Sequence, residues 1–184
     1  GFSLKLDGPL DMRMSCEGPT AEDFINRVDE STLANIVYEL GDEFFSKRIA
    51  KAIVLERSKN IIRTTGQLAN IIRKSIPAKK NKIDAATKTF QAIRIYLNDE
   101  ISELEQGLIA AEKMLKPEGI LAVVSFHSIE DRIIKKFFLK CAKNENYSRH
   151  RPENPNKYNS LEIITKKPIL PSQNEIKANK RSRS

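Results

Sequence analysis

Ile120-Leu121-Ala122-Val123-Val124-Ser125-Phe126 is a continuous apolar run bounded by Lys116-Pro117-Glu118-Gly119 on one side and His127-Ser128 on the other. A run of that length between turn signals reads as a strand buried on both faces of a parallel sheet. After it, Ser128-Ile129-Glu130-Asp131 has capping-box spacing, with Asp131 in place of the usual Glu or Gln. It opens a helix that turns Ile133, Ile134, Phe137 and Phe138 inward and Arg132, Lys135 and Lys136 outward. Ahead of the run, Phe90, Ile93, Leu97, Ile101, Leu104, Leu108, Ala111 and Leu115 recur at spacings of three and four. That period predicts one long amphipathic helix, or two joined near Asn98. Helix, turn, strand and helix make half of an α/β unit, so the expected fold class is α/β.

Towards the N-terminus the pattern becomes helical throughout. Thr20 with Asp23 marks a first helix start, and Leu33, Ile36, Val37 and Leu40 give a second helix over Thr32–Leu40 that Gly41 ends. Asp42 is placed to cap a third, with Phe45, Ile49, Ala52 and Ile53 inward. Thr65 is placed to cap a fourth, with Leu68, Ile71 and Ile72 inward and Pro77 as its stop. These helices form one unit, roughly residues 20–77, followed by a polar basic linker, Ala78-Lys79-Lys80-Asn81-Lys82. Past the central segment, 143–159 reads as a loop, Leu161–Lys166 as one more strand, and Asn174–Ser184 as a disordered basic tail.

The 184 residues, 40% of them hydrophobic, suffice for one moderate core, with or without an insert. No apolar run approaches the roughly 20 residues of a membrane-spanning helix, which excludes that class. Cys16 and Cys141 are too few for a disulfide framework or a cysteine-rich zinc site, and no metal-ligand spacing occurs. The chain opens Gly1-Phe2-Ser3 without Met or an export signal, so a cytoplasmic protein, and a piece of a longer one, is expected. Its net charge of +8 is unevenly spread. Residues 1–46 carry 3 basic and 10 acidic residues, whereas 47–94 carry 13 basic and 2 acidic. A basic block of that kind is either a solvated set of helix faces or a footprint for a phosphate backbone.

Two places concentrate groups that do chemistry. His127 and Ser128 stand at the carboxyl end of the expected strand, where open α/β sheets bind ligands, although a purely structural strand-to-helix turn has the same pattern. Gln91, Arg94 and Asn98 share a helix stripe that serves equally as one site or as a solvent-facing face.

Three longer motifs are more specific. Asp7-Gly8-Pro9-Leu10-Asp11-Met12-Arg13-Met14, Thr89-Phe90-Gln91-Ala92-Ile93-Arg94-Ile95 and Ser125-Phe126-His127-Ser128-Ile129-Glu130-Asp131-Arg132 resemble, in order and spacing, the ribosomal RNA small subunit methyltransferase H family. Lys47-Arg48-Ile49-Ala50 and the closing Asn179-Lys180-Arg181-Ser182-Arg183-Ser184 are similar too, with Lys180 where the family usually has Pro. The resemblance implies an S-adenosylmethionine-dependent methyltransferase acting on the N4 amine of a cytidine in small-subunit ribosomal RNA. It implies a partial class I, Rossmann-like sheet carrying an inserted all-helical substrate-recognition domain. Residues 1–19 would be a strand-end segment of the core, 20–82 the insert, and 83–184 the C-terminal part of the core with its basic tail.

By the same resemblance, Asp11, His127 and Ser128 would line the cytidine pocket. Arg13, Lys47, Arg48, Arg94, Asn98 and Arg132 would contact RNA. The glycine-rich loop, acidic ribose-binding residue and methyl-transfer strand end that precede this match in the family have no counterpart here. The cofactor pocket is therefore expected mostly outside the chain, which would need its missing N-terminal half as a partner and be inactive alone. The alternative is a non-catalytic RNA-binding remnant of such an enzyme.

Overall fold

Thr20 begins the first helix with the reciprocal cap that its spacing predicts: its hydroxyl accepts from the Asp23 amide, and the Asp23 carboxylate accepts from the Thr20 amide. The computed structural model describes residues 2–4, 6–15, 17–77, 84–142, 160–179 and 182. Their helices are α1 (Ala21–Arg27), α2 (Glu30–Gly41), α3 (Ser46–Arg57), α4 (Thr65–Ser75), α5 (Thr87–Leu97), α6 (Glu100–Met114), α7 (Ser128–Ala142) and α8 (Gln173–Ala178). The chain divides into two compact units, Gly1–Glu100 and Ile101–Ser184. The linker expected at 78–82 and the loop expected at 143–159 lie outside the described residues.

In the first unit α2 packs against α3 and α5, α3 against α4, and α1 against α3 and α5. The inward residues are those of the 3.6-residue stripes: Leu33, Val37, Ile49, Ile53, Leu68, Ile72, Phe90 and Ile93 form one core with Leu10 and Met12 of the N-terminal loop. Helix ends differ from the sequence reading by local chemistry. α2 begins at Glu30 rather than Thr32, because Asp29 caps it by accepting from the Thr32 amide at 2.9 Å. Asp42 does not start α3; it closes α2 in the left-handed region at φ 48°. The cap of α4 is Thr64, whose extended backbone lets its hydroxyl reach the Gln67 amide while Gln67 returns the bond. The α4 end agrees with Pro77, since Ile76 before it is extended.

Of the two alternatives near Asn98, the break is realised: α5 stops at Leu97 and α6 starts at Glu100, with Asp99 at φ 47° between them.

The strand expectations do not hold among the described residues, which form no strand. Residues 120–126 run in non-helical backbone and alternate between exposed and half-buried, with Val124 78% exposed. Alternation is the side-chain geometry of extended chain, but a doubly buried strand also needs neighbours to take its amides and carbonyls. The described residues supply none, and the same holds for 161–166. The expected disordered tail is likewise corrected over Gln173–Ala178, where a Ser172–Glu175 capping box nucleates α8.

Two helical glycines give opposite expectations. A Cβ on Gly41 would lie 2.7 Å from the Lys88 carbonyl oxygen and 3.3 Å from the Ala92 Cβ, so α2 and α5 touch there backbone to backbone. Gly107, inside α6, has nothing within 4 Å of the same position. Gly41→Ala is expected to destabilise by about 1–3 kcal/mol, and Gly107→Ala to stabilise by up to about 1 kcal/mol. Thermal unfolding of the two variants checks both signs.

Candidate functional site

The segment 7–14 crosses the first unit as a loop held at both ends. At its start the Asp7 Oδ1 accepts from the Gly66 amide at 2.7 Å, satisfying one of the orphan donors at the α4 N-terminus. That amide, with the Thr64 hydroxyl, holds the Asp7 carboxyl below its ordinary pKa. Gly8 and Thr65 exchange bonds, and Leu10 donates to the Arg63 carbonyl at 2.9 Å, so the loop runs antiparallel to 63–65. On its other side the carbonyls of Leu10 and Asp11 accept from Glu22 and Ala21 at the start of α1, both at 2.7 Å.

The far end carries the candidate residues. Met12 has φ 59°, a left-handed conformation that non-glycine residues rarely adopt, and its side chain is buried. Backbone held in this region costs on the order of 1–3 kcal/mol and persists only where neighbours enforce it. Here the enforcing residue is Asn98. Its Nδ2 donates to the Met12 carbonyl at 2.9 Å and to the Arg94 carbonyl at 2.8 Å, while its Oδ1 accepts from the Met14 amide at 2.7 Å. The α5–α6 break leaves Asn98 at the end of α5 with its side chain turned to the loop. Strain, clamp and helix break are one construction.

Asp11 and Arg13 are paired. Arg13 Nε and Nη2 donate to the two carboxylate oxygens at 2.7 and 3.0 Å, and Nη1 donates to the Gly18 carbonyl at 3.1 Å. The guanidinium beside it lowers the Asp11 pKa, keeping the group ionised and purely an acceptor. Arg94 makes a second forked pair with Glu100, at 2.7 and 2.9 Å. Phe24 of α1 packs against Tyr96 of α5, ring centroids 4.9 Å apart and planes tilted by 36°. Asp11, Arg13 and Asn98 thus gather at one loop in the first unit, and Arg94 joins them through its carbonyl, which accepts from Asn98. Lys47 and Arg48 are exposed in the first turn of α3, and no described carboxylate pairs with either.

His127, Ser128 and Arg132 belong to the second unit. The cap of α7 is built by His127 and Glu130 rather than by Ser128 and Asp131. His127 Nδ1 accepts from the Glu130 amide at 3.3 Å, and the Glu130 carboxylate accepts from the Phe126 amide at 2.8 Å. Ser128 is the first helical residue, and Asp131 pairs instead with Lys135. With Nδ1 accepting, the neutral imidazole carries its proton on Nε2. That atom is buried and comes within 3.3 Å of Glu130 Oε1, close enough for attraction but not aligned for a hydrogen bond. Arg132 is exposed one turn on.

Three further acids take up roles in the structure. Asp7, Glu100 and Glu130 respectively anchor the loop, pair with Arg94 and orient His127. Glu130 had a sequence signal, three residues from His127 in the first turn of a helix. Glu100 had none, because its pairing depends on the turn at Asn98-Asp99.

A model of the MraW methylase family matches residues 1–184. Among curated relatives, ribosomal RNA small subunit methyltransferase H of Nitrobacter hamburgensis is 51% identical across the whole chain, which spans 55% of that protein. The protein of the same name from Rickettsia canadensis is 53% identical, with this chain spanning 61% of it. The Rhodopseudomonas palustris protein is 50% identical, with 55% spanned. The chain therefore matches little more than half the length of these relatives.

Proposed function

The chain belongs to the MraW methylase family, and from that premise we propose that it serves a cytoplasmic enzyme that methylates small-subunit ribosomal RNA, at the N4 amine of a cytidine, using S-adenosylmethionine. The observation that carries the reading is the 7–14 loop, strained at Met12 and clamped by Asn98, within a chain whose named relatives are ribosomal RNA methyltransferases. Residues 20–82 are assigned to RNA recognition, and 1–19 and 83–184 to the methyltransferase core.

The cofactor, when bound, supplies an electrophilic methyl group. The described glycines Gly8, Gly18, Gly41, Gly66, Gly107 and Gly119 stand singly, and no described strand leads into a helix through a glycine-rich turn. The described residues do not fit a cofactor cradle of that kind, and the roles assigned here concern the nucleotide. A cytosine N4 amine is a weak nucleophile because its lone pair is delocalised into the ring, so positioning and hydrogen-bond acceptance from the amine matter most. Asp11 is assigned as acceptor: a carboxylate has roughly four lone-pair sites, and Arg13 fills three through its side chain and amide, leaving one on Oδ2. Asn98 is a positioning residue, acting through the Met12–Met14 backbone. His127 and Ser128 are assigned to the base. Arg13, Lys47, Arg48, Arg94 and Arg132 are assigned to RNA phosphates, Arg13 while it stays paired with Asp11 and Arg94 after exchange of its Glu100 partner.

His127→Ala in the full-length protein is expected to lower methyl transfer to small-subunit ribosomal RNA by about 10²-fold or more, the range of a lost acid–base or orienting group. Transfer is read as radiolabelled methyl incorporated from S-adenosylmethionine. Unchanged turnover removes His127 from the site, and no incorporation by the unsubstituted protein overturns the reading as a whole.

A further inference from the structure

One exposed aromatic surface of the first unit has no role in the site above. Phe44, in the turn between α2 and α3, is 82% exposed, and Tyr38 of α2 is 53% exposed. Their rings meet edge to face with centroids 6.4 Å apart and planes at 72°. Lys88 of α5 donates to the Asp42 carbonyl at 2.7 Å, which brings its ammonium to 5.9 Å from the Phe44 centroid. Two residues beyond Phe44, α3 begins, and its exposed Lys47, Arg48 and Lys51 have no described carboxylate partner.

A single exposed ring is ordinary on a protein surface, but an ordered pair of rings beside cations is a binding geometry. Of the occupants such a surface fits, a protein would bury the aromatic pair yet leave at its rim three cations that no described carboxylate pairs. A nucleotide satisfies both demands at once, since its base has a flat π-face and its phosphate a negative charge. The cations lie on the helix that begins where the ring sits, as a stacked base and its adjoining phosphates require.

We infer that Phe44, supported by Tyr38 and Lys88, is a stacking platform for an unpaired base of RNA, with Lys47, Arg48 and Lys51 holding the flanking phosphates. This inference rests on the RNA-binding reading above, and refines it: the helical unit grips a single-stranded element rather than a duplex alone. A paired base presents only its edges and keeps its faces in the stack, so duplex RNA cannot use the platform.

The test is fluorescence anisotropy of the 184-residue chain with labelled oligocytidine RNA of roughly a dozen nucleotides, a length that spans such a groove, against a duplex of equal length. Phe44→Ala is expected to weaken single-strand binding about ten-fold, the scale of one lost stacking contact, and to leave duplex binding unchanged. Phe44→Trp is expected to restore it. Exchanging Lys47, Arg48 and Lys51 together for Ala should lower the slope of log affinity against log salt by about 2, whereas Phe44→Ala leaves that slope alone. Phe44 is so exposed that its removal should not unfold the chain, which circular dichroism verifies. Equal effects of Phe44→Ala on both RNAs, no effect on either, or altered sedimentation of the chain without altered RNA affinity would each overturn the platform. In the first two cases RNA binding itself survives. Methyl transfer is not read in this assay, so its outcome is separate from that of the catalytic reading.

Discussion

Ile93→Ala should lower the stability of the 184-residue chain by about 2–5 kcal/mol, whereas Val124→Ala should change it by no more than about 0.5 kcal/mol. Ile93 is fully buried on α5, in the core that α2, α3, α4 and the 7–14 loop share. Removing its three outer carbons leaves a cavity that rigid neighbouring helices cannot close. Val124 is as apolar, yet it stands exposed in backbone that has no strand partner among the described residues. Urea titrations decide, provided the slope m is unchanged so that midpoints report stability. A loss at Val124 comparable to that at Ile93 would mean that the 120–126 run is buried as its composition predicts.

Asn98→Ala is expected to reduce methyl transfer by the full-length protein about 10- to 100-fold, since an ångström of misplacement has that effect. The accompanying loss of stability is about 1–3 kcal/mol, from polar groups left without partners. Three hydrogen bonds depend on this side chain, and two of them fix the peptide groups on either side of Arg13, directly after a residue in the left-handed region. Without them Met12 has no reason to keep φ 59°, and Asp11 and Arg13 lose their setting. Hydrogen exchange at the Met14 amide provides the structural readout, and should speed up in Asn98→Ala. Asn98→Asp retains the acceptor and should keep the Met14 amide protected, while its carboxylate faces the Met12 and Arg94 carbonyls and leaves transfer impaired. Rapid exchange at Met14 with undiminished transfer would detach the loop from the reaction.

Much of the local structure was legible in the residues. Thr20 and Asp23 announced α1 because a capping box is a contact between neighbours in the chain. The stripes of α2 to α5 announced the core because a helix's period is intrinsic to its backbone. The caps of α3 and α4 were misplaced by one to a few residues, since Asp42, Thr64 and Thr65 are equally competent chemically and backbone conformation selects among them. The motif 7–14 was conspicuous as residues, but its strain was not, because nothing in Met12 itself demands a positive φ.

By itself, then, the sequence determined what depends on near neighbours and on composition: which segments from α1 to α7 are helical, which faces are apolar, where positive charge concentrates, and a family resemblance now matched over residues 1–184. Only the tertiary structure decided which groups are spent on one another. Asp11 neutralises Arg13, Glu100 takes Arg94, Glu130 turns His127, and Asn98 reaches back 86 residues to Met12. It also decided that 120–126, apolar enough for burial on both faces, stands without a ladder among the described residues. The physical reason is common to all of these. Periodicity and capping are satisfied within a few residues of chain, whereas ion pairs, clamps and strand pairing need a partner whose position only the folded chain specifies.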